Sequence, residues 1–255
     1  MTKSRMRVPR PVVSSLLTSR RAGADGFQVD RPSAIPSKPG DLTSSSSWSL
    51  VSFDVDGTIF RRPALREAAH AMGLREEWDE IDDLFDRAKI NLRERLLSHY
   101  ALLNGKRMTD ILTEVAKVEV MKHVRETADA LRADEVKAVL LTDLPNFLCA
   151  DLVDRFGFDG YIASSVGIRD GIVSGGEIEP LTDKRLGLEK YCSQMSIPRS
   201  KCAHVGDGRN DVPVFRAVQY SIALNSRVAQ VNKAASHTMI TDDLLDVYRH
   251  LRTAI

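Results

Sequence analysis

Ser49-Leu50-Val51-Ser52-Phe53-Asp54-Val55-Asp56-Gly57-Thr58 is the stretch that decides how this chain is read. Leu50, Val51 and Phe53 give it an apolar, β-prone run that ends on a carboxylate, which predicts a buried strand with a tight exit at Gly57. Asp54 and Asp56 stand two residues apart at the end of that strand. Two carboxylates so placed can share a divalent cation and divide nucleophilic from proton-transfer work. Gly57 allows the backbone to turn sharply and to approach a ligand. Alone, the string also fits a surface turn after an edge strand, but the apolar lead-in Leu50-Val51-Ser52-Phe53 argues against that.

Downstream, the pattern from Arg62 to about Thr127 is helical. Ala64, Leu65, Ala68, Ala69 and Met72 form one stripe closed by Gly73, and Ile81, Leu84, Phe85 and Ala88 form a second, followed by Leu92, Leu96 and Leu97. Asn104-Gly105 breaks the run, and Thr109 is predicted to cap a helix through Val120. After that, strands and helices alternate. Strands are expected at 136–142, 159–163, 202–206, 220–224 and 238–240. Helices are expected at 146–156 (closed by Gly157), 181–195 and 212–218. Repeated strand–helix units imply an α/β fold, a doubly wound and mostly parallel sheet covered on both faces. Such sheets bind ligands beyond the carboxyl ends of their strands.

Three further features sit at such ends. Thr142 closes the strand Ala138-Val-Leu-Leu141, and a hydroxyl with free amides before a helix suits phosphate oxygens, although a helix cap explains it equally well. Asp143 and Asn146 are rival caps. Lys184, in Leu181-Thr-Asp-Lys184-Arg185, is by itself an ordinary surface charge; in a site crowded with carboxylates and phosphate, one buried ammonium would hold the charge balance. Finally, Gly206-Asp207-Gly208-Arg209-Asn210-Asp211 puts Asp207 between two glycines at a strand exit, free to face a metal. It lacks the twelve-residue ligand ladder of an EF-hand.

Taken together and in this order, the four features resemble the haloacid dehalogenase superfamily of phosphohydrolases, and within it the phosphoserine-phosphatase-like branch. The resemblance runs from about Trp48 to Leu251. It implies a Rossmann-like core at 48–62 and 124–255, with a small α-helical cap, 63–123, inserted after the first strand. It further implies that Asp54 attacks phosphorus to form an aspartyl-phosphate, and that Asp56 protonates the leaving oxygen and then deprotonates water. Thr142, Asp143, Gly57 and Lys184 would hold the phosphoryl group. Mg²⁺ would sit on Asp54, the backbone carbonyl of Asp56 and Asp207, with Asn210 and Asp211 organising that loop.

Two departures from the branch's pattern concern the substrate. Thr142-Asp143-Leu144 stands where phosphoserine phosphatases usually have Ser-Gly-Gly, and Pro63 stands where they carry the acid that reads the substrate amine. Arg95 is the candidate for the arginine that reads a carboxylate, and Arg61 and Arg62 are candidates for further anion contacts. The expected substrate is therefore a phosphorylated acid without that amine, or another small phosphomonoester. The expected activity is hydrolysis; a phosphotransferase using the same intermediate and a catalytically silent binding module are the alternatives.

Composition narrows the rest. The 255 residues are 43% hydrophobic and 28% charged, with a formal net charge of +1. Residues 1–47 carry eight Lys/Arg against three acids, +5, which leaves about −4 for the remainder. A mildly acidic body argues against a nucleic-acid binder, which would usually show a basic face. No apolar run approaches the ~20 residues of a membrane span, and a monomer and a homodimer are both open. Five prolines and many serines make residues 1–47 read as a disordered basic extension, with an organelle transit peptide as the rival reading of an otherwise cytoplasmic protein. Cys149, Cys192 and Cys202 show no metal-ligand spacing and are expected to be buried thiols.

Overall fold

The structure, a computed structural model, describes residues 48–254, so the expected N-terminal extension lies outside the described residues. The chain opens with β1 (Leu50–Phe53) and then runs through four helices, α1 (Ala64–Ala71), α2 (Arg75–Asp86), α3 (Leu92–Leu102) and α4 (Met108–Val115). Helix α5 (Val124–Ala133), β2 (Lys137–Pro145), α6 (Asn146–Phe156), β3 (Gly160–Arg169) and β4 (Ile172–Glu179) follow. The remainder is α7 (Lys184–Gln194), β5 (Cys202–Gly206), α8 (Val212–Phe215), β6 (Tyr220–Leu224), α9 (Ala229–Ala234), β7 (His237–Met239) and α10 (Leu244–Thr253).

The strands form a single sheet in the order β4-β3-β2-β1-β5-β6-β7, parallel throughout except for the antiparallel β3–β4 pair. β1 lies at its centre, with Leu50 to Phe53 in register with Lys137 to Leu140 on one side and Cys202 to Val205 on the other. Successive residues of a strand face opposite sides, and both sides here are covered. Val51, Phe53, Ala138, Leu140, Ala203 and Val205 join one cluster, with Val124 and Leu131 of α5, Leu148 and Leu152 of α6, and Val247 of α10. Leu50, Val139, Leu141 and Cys202 join a second, with Leu188 and Tyr191 of α7 and Val214 of α8. This is the doubly wound α/β architecture, with a helical insert after the first strand.

Several expected elements shift. Thr109 does not cap α4: the helix starts at Met108 after Arg107, without a side-chain cap, and ends at Val115. Val120 instead bridges Phe60, tying the end of the insert back beside β1. The β3–β4 hairpin was not anticipated. β3 runs well past Ala163, and β4 has only Ile172, Val173 and Ile178 as large apolar residues beside Gly175 and Gly176, too weak an alternation to read. All three cysteines are buried and free. Among the described residues, no helix is long and apolar enough to cross a membrane.

Candidate active site

The carboxyl ends of β1, β2 and β5 meet the first turn of α7, and each contributes one polar group. β1 delivers Asp54, whose N–H donates to the Val205 carbonyl at 2.8 Å and locks it beside β5. The Val55 N–H donates to Asp54 Oδ1 at 2.7 Å. Lys184, first residue of α7, is 3% exposed and places Nζ 2.7 Å from Asp54 Oδ1 and 2.7 Å from Asp211 Oδ1. An isolated ammonium at that depth would lose its proton. Burial does work against its charge, but Asp211 and Asp54 outweigh it and drive its pKa above the ordinary lysine value.

Asp211 has both oxygens engaged. Oδ1 faces Lys184 and, at 3.2 Å, His204 Nε2; Oδ2 accepts from the Gly208 N–H at 3.0 Å. Burial alone would raise its pKa, yet Lys184 and His204 pull it below the normal carboxylate range. His204 is anchored in turn, with Nδ1 2.9 Å from Ser52 Oγ and 3.1 Å from the Ser52 carbonyl. A continuous buried chain thus runs Ser52–His204–Asp211–Lys184–Asp54. The sequence reading missed His204; its signal was a lone imidazole among apolar strand residues, opposite Ser52 in the β1–β5 register.

Asp54 and Asp207 are in the opposite electrostatic condition. Burial, then the Asp211 charge, raises Asp54 well above its ordinary value, despite Lys184. Burial and Asp211 push Asp207 up to about 6. Oxygens of Asp54, Asp207 and Asp211 lie within 4.8 Å of one another. Carboxylates packed so tightly that they resist ionisation carry a deficit of positive charge, and an all-oxygen donor set suits a hard cation such as Mg²⁺. The residues fit the ion. Since Asp211 has spent its oxygens on Lys184, His204 and Gly208, Asp54 and Asp207 are the side chains left to ligate it.

Asp56 turns to the other side of Asp54, where its Oδ1 accepts the Ala64 N–H at 2.8 Å and satisfies the first turn of α1. Burial, opposed by that bond and reinforced by Asp143 and Asp207, lifts its pKa to about 7. On β2, the ladder with β3 slips between Leu141 and Pro145, freeing Thr142, Asp143 and Leu144 from regular pairing. Thr142 does not cap α6; its Oγ1 accepts the Leu144 N–H at 3.3 Å. Asn146 Oδ1 instead holds the Val166 N–H. Asn210 Nδ2 reaches Asp143 Oδ2 at 3.5 Å, linking the β2 and β5 loops. Tyr100 of α3 and Ser164 of β3 both donate to the Asp143 carbonyl, a tether between the insert and the sheet that no motif announced.

Beside Asp56 opens a cavity of about 120 Å³ bounded by Pro63, Trp78, Arg95, His99 and Asp143. Arg95 lines it, as expected of a substrate contact, but is paired to Asp82 at 2.7 Å. Arg61 does not line it: its guanidinium, 41% exposed, faces Glu119 at 3.4 Å and Asp242 at 3.9 Å. Arg62 is likewise turned to Glu67. The expectation of anion contacts from these two arginines is corrected by the acids that surround them.

With this arrangement in view, the comparisons with known proteins fall into place. Residues 177–246 match the model of the family described as haloacid dehalogenase-like hydrolase. Over that stretch the chain is similar to the haloacid dehalogenase-like hydrolases. Its curated relatives include a phosphoserine phosphatase of Saccharomyces cerevisiae, 27% identical over 78% of this chain and 65% of the yeast protein. Another, from Albidiferax ferrireducens, is 27% identical over 72% of this chain and 81% of its own length. A third, from Mycobacterium tuberculosis, is 26% identical over 71% of this chain but only 45% of the relative. Among solved structures, a phospho-aspartyl intermediate analogue of phosphoserine phosphatase superposes with a TM-score of 0.67 at 21% identity, covering 80% of this chain and 98% of the other. A structure described as a haloacid dehalogenase family hydrolase, from Salmonella enterica serovar Typhi, gives 0.68 at 18% identity, covering 74% of this chain and 66% of the other. The chain therefore shares its fold with phosphoserine phosphatases of known structure.

Proposed function

We propose that this chain is a magnesium-dependent phosphatase that hydrolyses a small-molecule phosphomonoester through an aspartyl-phosphate on Asp54. The observation that carries the reading is the buried Lys184 ammonium, 2.7 Å from both Asp54 and Asp211, at the exit of the central strand. A carboxylate can approach an anionic phosphate only where positive charge is already fixed in place. The likeness to a structure described as a phospho-aspartyl intermediate analogue supports the same reading.

In this scheme one oxygen of Asp54 attacks phosphorus while the ester P–O bond breaks. Asp56 donates its proton to the departing alkoxide, which its pKa of about 7 suits. It then accepts a proton from the water that attacks the aspartyl-phosphate, releasing inorganic phosphate and restoring Asp54. Thr142, the Gly57 backbone and Lys184 hold the phosphoryl oxygens. Held by Asp54, Asp207 and the Asp56 carbonyl, Mg²⁺ would supply the remaining neutralising charge. Residues 63–123 form the cap over the leaving group.

The test is phosphate release from a panel of phosphorylated metabolites with Mg²⁺, run beside Asp54→Ala. A companion measurement needs no leaving group: beryllofluoride, a mimic of the phosphoryl group, should raise the melting temperature only with Mg²⁺ and only with Asp54 present. Turnover or beryllofluoride binding retained in Asp54→Ala would overturn the reading.

A further inference from the structure

We propose that the substrate's leaving group is a small, uncharged, hydroxyl-bearing alcohol, so that the preferred ester is a polyol phosphate and not a phosphorylated acid or amine. The inference rests on the phosphatase reading above and concerns the cavity beside Asp56, the proton donor to the leaving oxygen.

The cavity's side walls are apolar, built from Pro63, Leu65, Leu96, Leu144 and Trp78. Its polar end is already neutral. Arg95 makes contacts of 2.7 and 2.8 Å to Asp82 Oδ1. Arg66 places Nη2 2.7 Å from Asp79 Oδ1 and Nε 3.8 Å from Asp82 Oδ2. Two guanidinium groups are thus matched by two carboxylates, and Asp143 adds a negative charge at the end next to Asp56. A substrate carboxylate would find no net positive charge and would have to displace Asp82 from both arginines. An ammonium group carries no lone pair and would leave the Arg66 Nε–H without an acceptor. A charge without a matching partner and a polar group without a hydrogen-bond partner are both costly, so both kinds of leaving group are disfavoured.

A hydroxyl is what the polar end lacks. Nε2 of His99 and Nε of Arg66 are buried without a hydrogen-bond partner. His99 is 3% exposed, stacks on Trp78 at 3.9 Å between ring centres, and holds Nε2 3.4 Å from Asp82 without forming a bond. Burial pushes its pKa down to about 4, against the pull of Asp82, so at neutral pH the imidazole adds no charge. One alcohol group can accept from a guanidinium N–H and at the same moment donate to, or accept from, a neutral imidazole. A carboxylate has no proton to donate to the imidazole, and an ammonium has no lone pair to accept from the guanidinium. Sites that hydrogen-bond a substrate hydroxyl discriminate strongly against analogues that lack it, because their own polar groups are then left unpaired.

The experiment compares kcat/KM of the full wild-type chain with Mg²⁺ for glycerol 1-phosphate, phosphoglycolate, phosphoethanolamine and phosphoserine. Glycerol 1-phosphate should exceed each charged ester by at least tenfold; a charged ester equal to it or better overturns the inference. Mg²⁺- and Asp54-dependent beryllofluoride binding reports the phosphatase reading separately. If that binding is present but the neutral ester is not preferred, this inference alone falls; if it is absent, both fall. Asp82→Asn, checked for an intact fold by its melting curve, should shift the ratio toward phosphoglycolate at least fivefold, since it releases two guanidinium groups. An unchanged ratio in the folded variant also counts against the proposal, and the wild-type ranking decides the matter even if the variant does not fold.

Discussion

A Cβ on Gly57 would fall 2.2 Å from Asp207 Oδ2. The glycine of the first motif therefore makes room for the carboxylate of the fourth, besides adopting a φ of +81° that other residues rarely take. Gly57→Ala should move Asp207 out of position and strain the turn. We expect at least a hundredfold loss of phosphatase activity with a stability cost of only about 1–3 kcal/mol, read from steady-state kinetics and urea melts on one preparation. A variant that loses stability but keeps its activity would show that the contact does not matter to the site.

Lys184 is the positive centre of the buried chain. Lys184→Met leaves Asp54 and Asp211 facing each other without it, and breaking a buried pair in this way costs about 3–5 kcal/mol. Asp54→Asn alone removes one charge from a crowded set of acids and should leave the protein no less stable. The double variant should regain part of what Lys184→Met loses. A double-mutant cycle by denaturant unfolding measures that coupling.

In the proposed reaction Asp56 must carry a proton to act on the leaving oxygen, and its pKa stands at about 7. Activity toward esters of poor leaving alcohols should therefore fall as pH rises past that value. A cation at Asp54 and Asp207 would move this limb toward lower pH, because it replaces repulsion with attraction. Asp56→Asn should remove the limb and lower kcat by about 10²–10⁴ for such esters, and much less for p-nitrophenyl phosphate, whose leaving group needs no acid. Parallel pH–rate profiles of the two proteins give the answer.

His99 makes folding itself depend on pH. Its folded-state pKa is depressed to about 4 from 6.5, chiefly by burial. The unfolded chain thus binds a proton first as pH falls. This residue's contribution is fully present above about 6.5, is lost progressively down to about 4, and is constant below that. The total amounts to at most about 3 kcal/mol. His99→Gln should flatten the slope of stability in that window, as measured by thermal or urea unfolding at pH 4 to 7.

Mg²⁺ should raise the melting temperature of the wild-type chain, because the ion binds carboxylates that only the fold brings together. At a hundred times the dissociation constant the gain is about 2.7 kcal/mol. The effect should weaken below about pH 6, where Asp207 takes up a proton, and should be absent in Asp207→Asn.

Much of the molecule could be read before any coordinates. The strand ending on Asp54, the alternation that builds the parallel sheet, and the glycine-flanked Asp207 are local patterns whose physics is local too: period-two burial, tight exits and clustered carboxylates. The hairpin of β3 and β4 was not legible, because its partners stabilise each other more than either sequence favours a strand. Arg61 and Arg62 were misplaced because a side chain's direction depends on the acids around it, and Glu119, Asp242 and Glu67 are distant or unremarkable in the sequence. Arg95 does line the cavity, but its pairing with Asp82, on a neighbouring helix, was hidden.

By itself, then, the sequence determined the parallel strands of the sheet and the helical run after the first of them, since hydrophobic period and turn chemistry act within a few residues. Only the tertiary structure decided which charges neutralise one another. His204 meets Ser52 because β5 pairs with β1, Asp82 meets Arg66 and Arg95 because α1, α2 and α3 pack together, and Coulomb energies follow those distances through space with no regard to separation along the chain.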